Sequence, residues 1–121
     1  MSATKLTDET LLRGSQKGWR LFRQNTGLGW VGKIRSQTKK LLVLENPRPL
    51  RAGLCVGSSD VIGIAPVVVT PEMVGTTIGV FVAAEIKFGD DRLSKEQSNF
   101  LAMVEKLGGI ARVVRSVSDL E

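Results

Sequence analysis

The sequence predicts an α/β fold, with helices flanking a mixed β-sheet. Three observations lead there. Hydrophobic period changes along the chain in the order helix, strands, helix, strand, helix. One long apolar run, Thr77 to Phe88, is rich in β-branched and small residues and suits a central strand covered on both faces. A strongly amphipathic segment with start and stop signals, Ser94 to Leu107, follows it. At 121 residues, 42% hydrophobic and 24% charged, the chain has the length and composition of a single folded domain, residues 1–121.

The elements follow in order. Leu6, Leu11 and Leu12 among polar neighbours predict a short helix over 5–17, limited by Gly14 and Gly18. Trp19 to Gln24 alternates as a strand, and Asn25 to Gly29 reads as a turn. Trp30 to Arg35 and Lys40 to Leu44 complete a meander. Pro47 and Pro49 in Asn46-Pro47-Arg48-Pro49 should break it, since proline lacks an N–H and restricts its neighbour. Asp60 to Ile64 is a strand entering the interior, continued by Pro66 to Thr70, and Pro71 to Gly75 is a turn. In the second helix Ser94 and Gln97 have capping-box spacing, while Phe100, Leu101, Val104 and Leu107 form the stripe that Gly108-Gly109 ends. Ile110 to Arg115 is a last strand and Ser116 to Glu121 a short terminal helix.

Composition removes several chemistries. The chain has no histidine and one cysteine, Cys55, so neither a Cys/His zinc site nor a Ser-His-Asp triad can form within it. A lone thiol fits a reducing, intracellular compartment. No signal-peptide core stands near the start, and no run reaches the roughly 18 apolar residues of a membrane helix, so a cytoplasmic protein is expected.

Charge is unevenly spread. The net +5 is the sum of +7 over residues 1–60 and −2 over 61–121. Between Arg13 and Arg51, ten basic residues face only Glu45. Such a stretch attracts a polyanion, most commonly nucleic acid, or is simply a solvated basic face.

The chemistry-bearing residues sit in the apolar run. In a strand, Glu85 and Lys87 share one face while Val82, Ala84 and Ile86 share the other. An acid and a base there either form an ion pair at the sheet rim or serve a site. Asp60 opens the preceding strand, where a neighbouring strand could bring Glu85 beside it. Two adjacent carboxylates repel unless a cation lies between them, and oxygens of Asp60, Glu85 and the Ile86 carbonyl would suit Mg²⁺ or Mn²⁺. Asp60 could otherwise close the Gly57-Ser58-Ser59 loop as an Asx turn. Gln97 extends the helical stripe toward the sheet and could cap, or reach the site, or both. Gly27-Leu28-Gly29-Trp30-Val31-Gly32 matches G-x-G-x-x-G literally. It lacks the helix that motif requires, so its glycines read as turn formers and no nucleotide cofactor is expected.

Gly57-Ser58-Ser59-Asp60-Val61-Ile62-Gly63, Phe81-Val82-Ala83-Ala84-Glu85-Ile86-Lys87, Ser94-Lys95-Glu96-Gln97 and Gly108-Gly109-Ile110-Ala111 together resemble the VRR-NUC domain, of the PD-(D/E)XK nuclease superfamily. Upstream, Leu21 to Gly27 and Arg48-Pro49 fit as well. The resemblance implies a restriction-endonuclease-like core and a metal-dependent DNA endonuclease acting on branched DNA, in the manner of a Holliday-junction resolvase. By that resemblance Asp60 and Glu85 bind Mg²⁺ or Mn²⁺, Lys87 polarises the attacking water and Gln97 orients the site. Arg23 and Asn25, with Lys33, Arg35, Lys39, Lys40, Arg48 and Arg51 of the basic meander, would hold DNA phosphates. It further implies a homodimer, bacterial or phage-encoded, with an additional acid from the first helix, Asp8 or Glu9. The competing reading is a non-catalytic DNA-binding module.

Overall fold

The computed structural model describes residues 2–120. Their elements are helix α1 (Ala3–Gln16), strands β1 (Arg20–Arg23), β2 (Gly27–Gln37), β3 (Leu42–Ala52), β4 (Val61–Ile64) and β5 (Val82–Ile86), helix α2 (Lys95–Lys106) and strand β6 (Ile110–Val114). Single 3-10 turns occur at Pro71–Met73 and Val117–Leu120. The α/β class is as predicted. The single mixed sheet is not, because the strands form three two-stranded pairs: β1 with β4, β2 with β3, and β5 with β6. The chain groups into two compact units, one of residues up to Leu11 with Phe22–Ile62, the other of Leu12–Leu21 with the chain from Gly63 onward.

The first unit is dominated by the β2–β3 ribbon, which pairs antiparallel from Gly27↔Ala52 to Gln37↔Leu42. The expected proline break is a bulge instead. Register shifts between Val31 and Lys33, so that Asn46 and Pro47 together oppose Gly32. Asn46 takes φ 47°, the left-handed conformation asparagine tolerates best among non-glycine residues. Gly32 is needed there, because a Cβ would stand 2.7 Å from the Glu45 carbonyl oxygen. Prolines are admitted because both strands of a two-stranded ribbon are edge strands. Gly27, Gly29 and Gly32 are therefore strand residues of β2, not turn formers. The reversal lies at Thr38–Leu41, where Thr38 N donates to the Leu41 carbonyl (2.8 Å) and Thr38 Oγ1 accepts from Lys40 N (3.2 Å) and Leu41 N (3.0 Å).

In the second unit β5 and β6 pair in parallel, Val82↔Ile110 through Ile86↔Val114. Their crossover is α2, the helical connection a parallel pair requires. Ser94 caps α2 with its hydroxyl accepting from Gln97 N at 3.0 Å, while Gln97 Oε1 accepts from Ser94 N at 2.9 Å. A Schellman motif ends it: Gly109 N donates to the Val104 carbonyl (2.9 Å), Gly108 N to that of Glu105 (3.0 Å), and Gly108 sits at φ 90°. Gly109 is also a point of close approach, since a Cβ would lie 2.7 Å from Val104 Cγ1 and 2.9 Å from the Phe81 carbonyl. Of the predicted stripe Val104 is fully buried and Leu101 and Leu107 are half-buried, while Phe100 stays exposed.

The run from Thr77 to Phe88 is not a doubly covered central strand. Only Val82–Ile86 is extended in a ladder, and on its outer face Val82 and Ile86 remain 54% and 69% exposed. The helix that packs on β5 and β6 is α2, and it lies against the opposite face, where Gln97 meets Glu85. Nor do residues 66–70 continue β4 as a strand.

After β6 the chain turns back at Val117–Leu120, closed by Asp119 Oδ2, which accepts from Arg115 N (2.8 Å) and Ser116 N (3.1 Å). These two main-chain donors, and then the Arg115 charge, hold the Asp119 carboxyl below its ordinary value. Its folded pKa is depressed, so its contribution is fully present above the ordinary carboxylate range and is lost as pH falls through the depressed value. Asp119→Asn should thus lower the melting temperature at about pH 6, and that gap should close towards about pH 2. Thermal melts of both proteins across this range check it.

Candidate active site and nucleic-acid interface

Strand alternation places Phe81, Ala83, Glu85 and Lys87 on the half-buried face of β5 and Val82, Ala84 and Ile86 on the open one. The half-buried face meets Gln97. Its Nε2 donates to Glu85 Oε1 at 2.7 Å, while its Oε1 is occupied by the Ser94 main chain. Capping and site roles thus fall to opposite ends of one amide. Lys87 Nζ lies 3.9 Å from the same Glu85 Oε1, a loose pair outside hydrogen-bond distance, with side-chain exposures of 14% for Lys87 and 32% for Glu85. Glu85 Oε2 has no protein donor among the described residues. Lys87 is further fixed through its main chain, N donating to the Val114 carbonyl at 3.0 Å. The structure therefore brings together Glu85, Lys87 and Gln97: a carboxylate held at one oxygen, an ammonium beside it, and an amide that locks the carboxylate's orientation.

Asp60 belongs to the first unit and immediately precedes β4. Its carboxylate makes no hydrogen bond among the described residues, so the Asx-turn reading is not realised. Its main chain is held instead, the carbonyl accepting from Gln24 N at 2.8 Å. The Asp60 side chain lines a recess with Arg23, Asn25, Ala3, Thr4 and Thr7, which brings three predicted residues together. Arg23 is engaged there, its Nη2 donating to Asp8 Oδ1 at 2.7 Å. Asp8, one of the two candidates for an additional site acid, is thereby the partner of an arginine.

Gln24 has a role that the residue pattern did not reveal. Its Nε2 donates to Ser58 Oγ (2.9 Å) and to the Ser59 carbonyl (2.8 Å), and its Oε1 accepts from Leu54 N (3.0 Å). One side chain thus ties down the loop that ends at Asp60. Gly53, at φ 88°, makes room for it: a Cβ there would lie 2.5 Å from Gln24 Oε1. Only the presence of a glutamine in the Leu21–Gly27 stretch hinted at this, because its partners are a hydroxyl and main-chain groups about thirty residues away.

Six of the predicted phosphate-binding residues lie on the ribbon: Lys33 and Arg35 in β2, Lys39 and Lys40 at its tip, Arg48 and Arg51 in β3. All are exposed. Register puts Lys33, opposite Glu45, and Arg48, opposite Val31, on one face. The other face carries Leu28, Trp30, Ile34 and Pro49, with Arg51 at its end. Arg35 approaches Glu45 at 3.9 Å, a distance that leaves its guanidinium available.

Oxygen ligands suit a hard divalent cation, and Asp60 and Glu85 each keep carboxylate oxygen free of protein donors among the described residues. The donor chemistry present therefore fits Mg²⁺ or Mn²⁺. Among the described residues no three His, Cys, Asp or Glu side chains cluster as a metal site. No helix among the described residues is long and apolar enough to cross a membrane.

No curated protein and no solved structure matches the chain significantly. The VRR-NUC domain family matches residues 35–118, a span that holds Asp60, Glu85, Lys87, Gln97 and most of the basic ribbon. With more than half of its length covered by that match, the chain belongs to the VRR-NUC domain family and is a nuclease-type domain.

Proposed function

We propose that this chain is a metal-dependent endonuclease that hydrolyses DNA phosphodiesters at branch points as a homodimer. The observation that carries the reading is the Glu85–Lys87–Gln97 constellation, in which an oriented carboxylate and an ammonium share one half-buried strand face. Asp60, Glu85 and the Ile86 carbonyl would hold Mg²⁺ or Mn²⁺, which supplies Lewis-acid polarisation of the scissile phosphate and acidification of water. Gln97 fixes the Glu85 carboxylate so that no reorganisation is needed when charge develops. Lys87 stabilises negative charge at the attacking oxygen or the phosphorane. Arg23 and Asn25 beside Asp60, with the ribbon cations, bind flanking phosphates without reading sequence. Cutting both strands across a branch requires two such sites, which a two-fold dimer supplies.

Cleavage of a panel of branched, flapped and linear duplex DNAs with Mg²⁺ and with Mn²⁺ tests this reading. Wild type should cut a branched member, and Glu85→Gln should bind it equally well yet cut at least a hundredfold more slowly. Lys39→Ala with Lys40→Ala should weaken binding to all members alike and reduce the salt slope by about 2. If wild type binds branched DNA and cuts nothing with either ion, the protein is a DNA-binding module and the acids are structural.

A further inference from the structure

Between Lys87 and the cap residue Ser94 the chain has no regular structure. Phe88–Leu93 is a loop, exposed up to the half-buried Leu93, whose internal main-chain bond is Asp91 N to the Phe88 carbonyl at 3.2 Å, with Gly89 at φ 59°. Yet this loop covalently joins the strand that carries Glu85 and Lys87 to the helix that carries Gln97. A segment of this kind, left to itself, samples many conformations.

One side chain restrains it. Arg115, just beyond β6, donates from Nη1 to the Gly89 carbonyl at 2.9 Å and from Nη2 to the Asp91 carbonyl at 2.6 Å. Two carbonyls two residues apart in the chain match the spacing of the guanidinium fork, whose rigidity makes both bonds together less costly in entropy than two lysine contacts. The fork itself is anchored, because Asp119 Oδ2 accepts from Arg115 N and Val114, the preceding residue, accepts from Lys87 N through its carbonyl. Two successive residues of β6 and its extension thus hold first the main chain of Lys87 and then the loop that follows it. This arginine belongs to the second unit, and its guanidinium bonds go to the loop carbonyls, not to Glu85 or Gln97.

We propose that Arg115 is a positioning residue: by fastening the Phe88–Leu93 loop to the end of β6, it sets the placement of the α2 N-terminus and so the Gln97–Glu85 hydrogen bond. Its kinetic consequence rests on the nuclease reading above; its structural consequence does not. A displacement of even about 1 Å in such a contact is enough to slow a reaction that depends on preorganised groups.

The test compares wild type, Arg115→Ala and Arg115→Lys by NMR and by cleavage of a branched DNA. In Arg115→Ala the Gln97 side-chain amide protons should move to the position of a free glutamine, and the Asp91 amide, which the loop holds on the Phe88 carbonyl, should exchange at least tenfold faster at an unchanged urea midpoint. The kcat should fall about tenfold with KM within twofold. Arg115→Lys, which keeps the charge and can reach one carbonyl, should recover part of each effect, and a structural surface role would not produce that ordered rescue. An unmoved Gln97 signal and unchanged loop exchange in Arg115→Ala overturn the proposal, whatever the cleavage assay shows. Movement of both in a wild-type background that cuts no DNA upholds the positioning role and removes the nuclease reading alone. Should Arg115→Ala fail to fold, the same NMR comparison on Arg115→Lys decides: intact Gln97 and loop signals identical to wild type overturn the proposal.

Discussion

Lys87→Met is expected to slow DNA cleavage by about two to three orders of magnitude while changing the unfolding free energy by no more than about 1 kcal/mol. The two halves of this expectation have different origins. Structurally, the ammonium has little to lose: its pair with Glu85 is stretched to 3.9 Å, and Glu85 is about one-third exposed, so the pair is loose and screened. Methionine keeps the length and apolar stem that pack on the half-buried face. Chemically, the loss is large, because a cation placed where negative charge develops acts without reorganising solvent. Lys87→Arg should rescue little, since the planar guanidinium is larger than an ammonium and poorly suited to a side chain only 14% exposed. Cleavage rates, duplex binding and urea unfolding on the same preparations check the prediction. A loss of stability that accounts for the loss of rate would reduce Lys87 to a rim ion pair.

Gln24→Ala should destabilise the protein by about 2–3 kcal/mol, taking about 1 kcal/mol for each of three side-chain hydrogen bonds that have no replacement. Its amide satisfies Ser58 Oγ, the Ser59 carbonyl and Leu54 N at once, and the first of these is half-buried. Gln24→Glu should not rescue it, because a carboxylate can accept from Leu54 N but cannot donate to the Ser59 carbonyl. Gly53→Ala should reproduce the defect by another route, its Cβ driven against Gln24 Oε1 and the Asn25 carbonyl at a left-handed φ. Urea midpoints of the three variants measure this. Under the proposed function, Gln24→Ala also frees the loop that carries Asp60, so activity should fall further than stability predicts. Three variants with wild-type midpoints would show that the loop is held by other contacts.

The extent to which the residues foretold these features follows from the range of the interactions involved. The Ser94–Gln97 box was legible because all its partners lie within three residues, and the Gly108-Gly109 stop because a left-handed residue after a helix has few alternatives to glycine. Glu85 and Lys87 sharing a face follows from strand periodicity alone. That the same face would receive Gln97 followed from the phase of the α2 stripe, in which Gln97 stands two turns before the buried Val104. The proline-rich stretch misled because proline forbids a donor locally, whereas its tolerance depends on which side of the strand has a neighbour. Pairing with β2 alone leaves that side open.

Local matters follow from the residues alone: the α/β alternation, the caps of α2, the acid and base on one strand face, the concentration of positive charge up to Arg51, and through its motifs the family. Which distant groups meet is a matter of the folded chain. Gln24 and Arg115 act on main-chain carbonyls some 24 to 35 residues away, and such acceptors are the same at every position, so no residue type announces them. The arrangement of six strands as three pairs was likewise not written in any one strand, since a ladder is chosen by comparing partners, and that comparison is made only when the chain is folded.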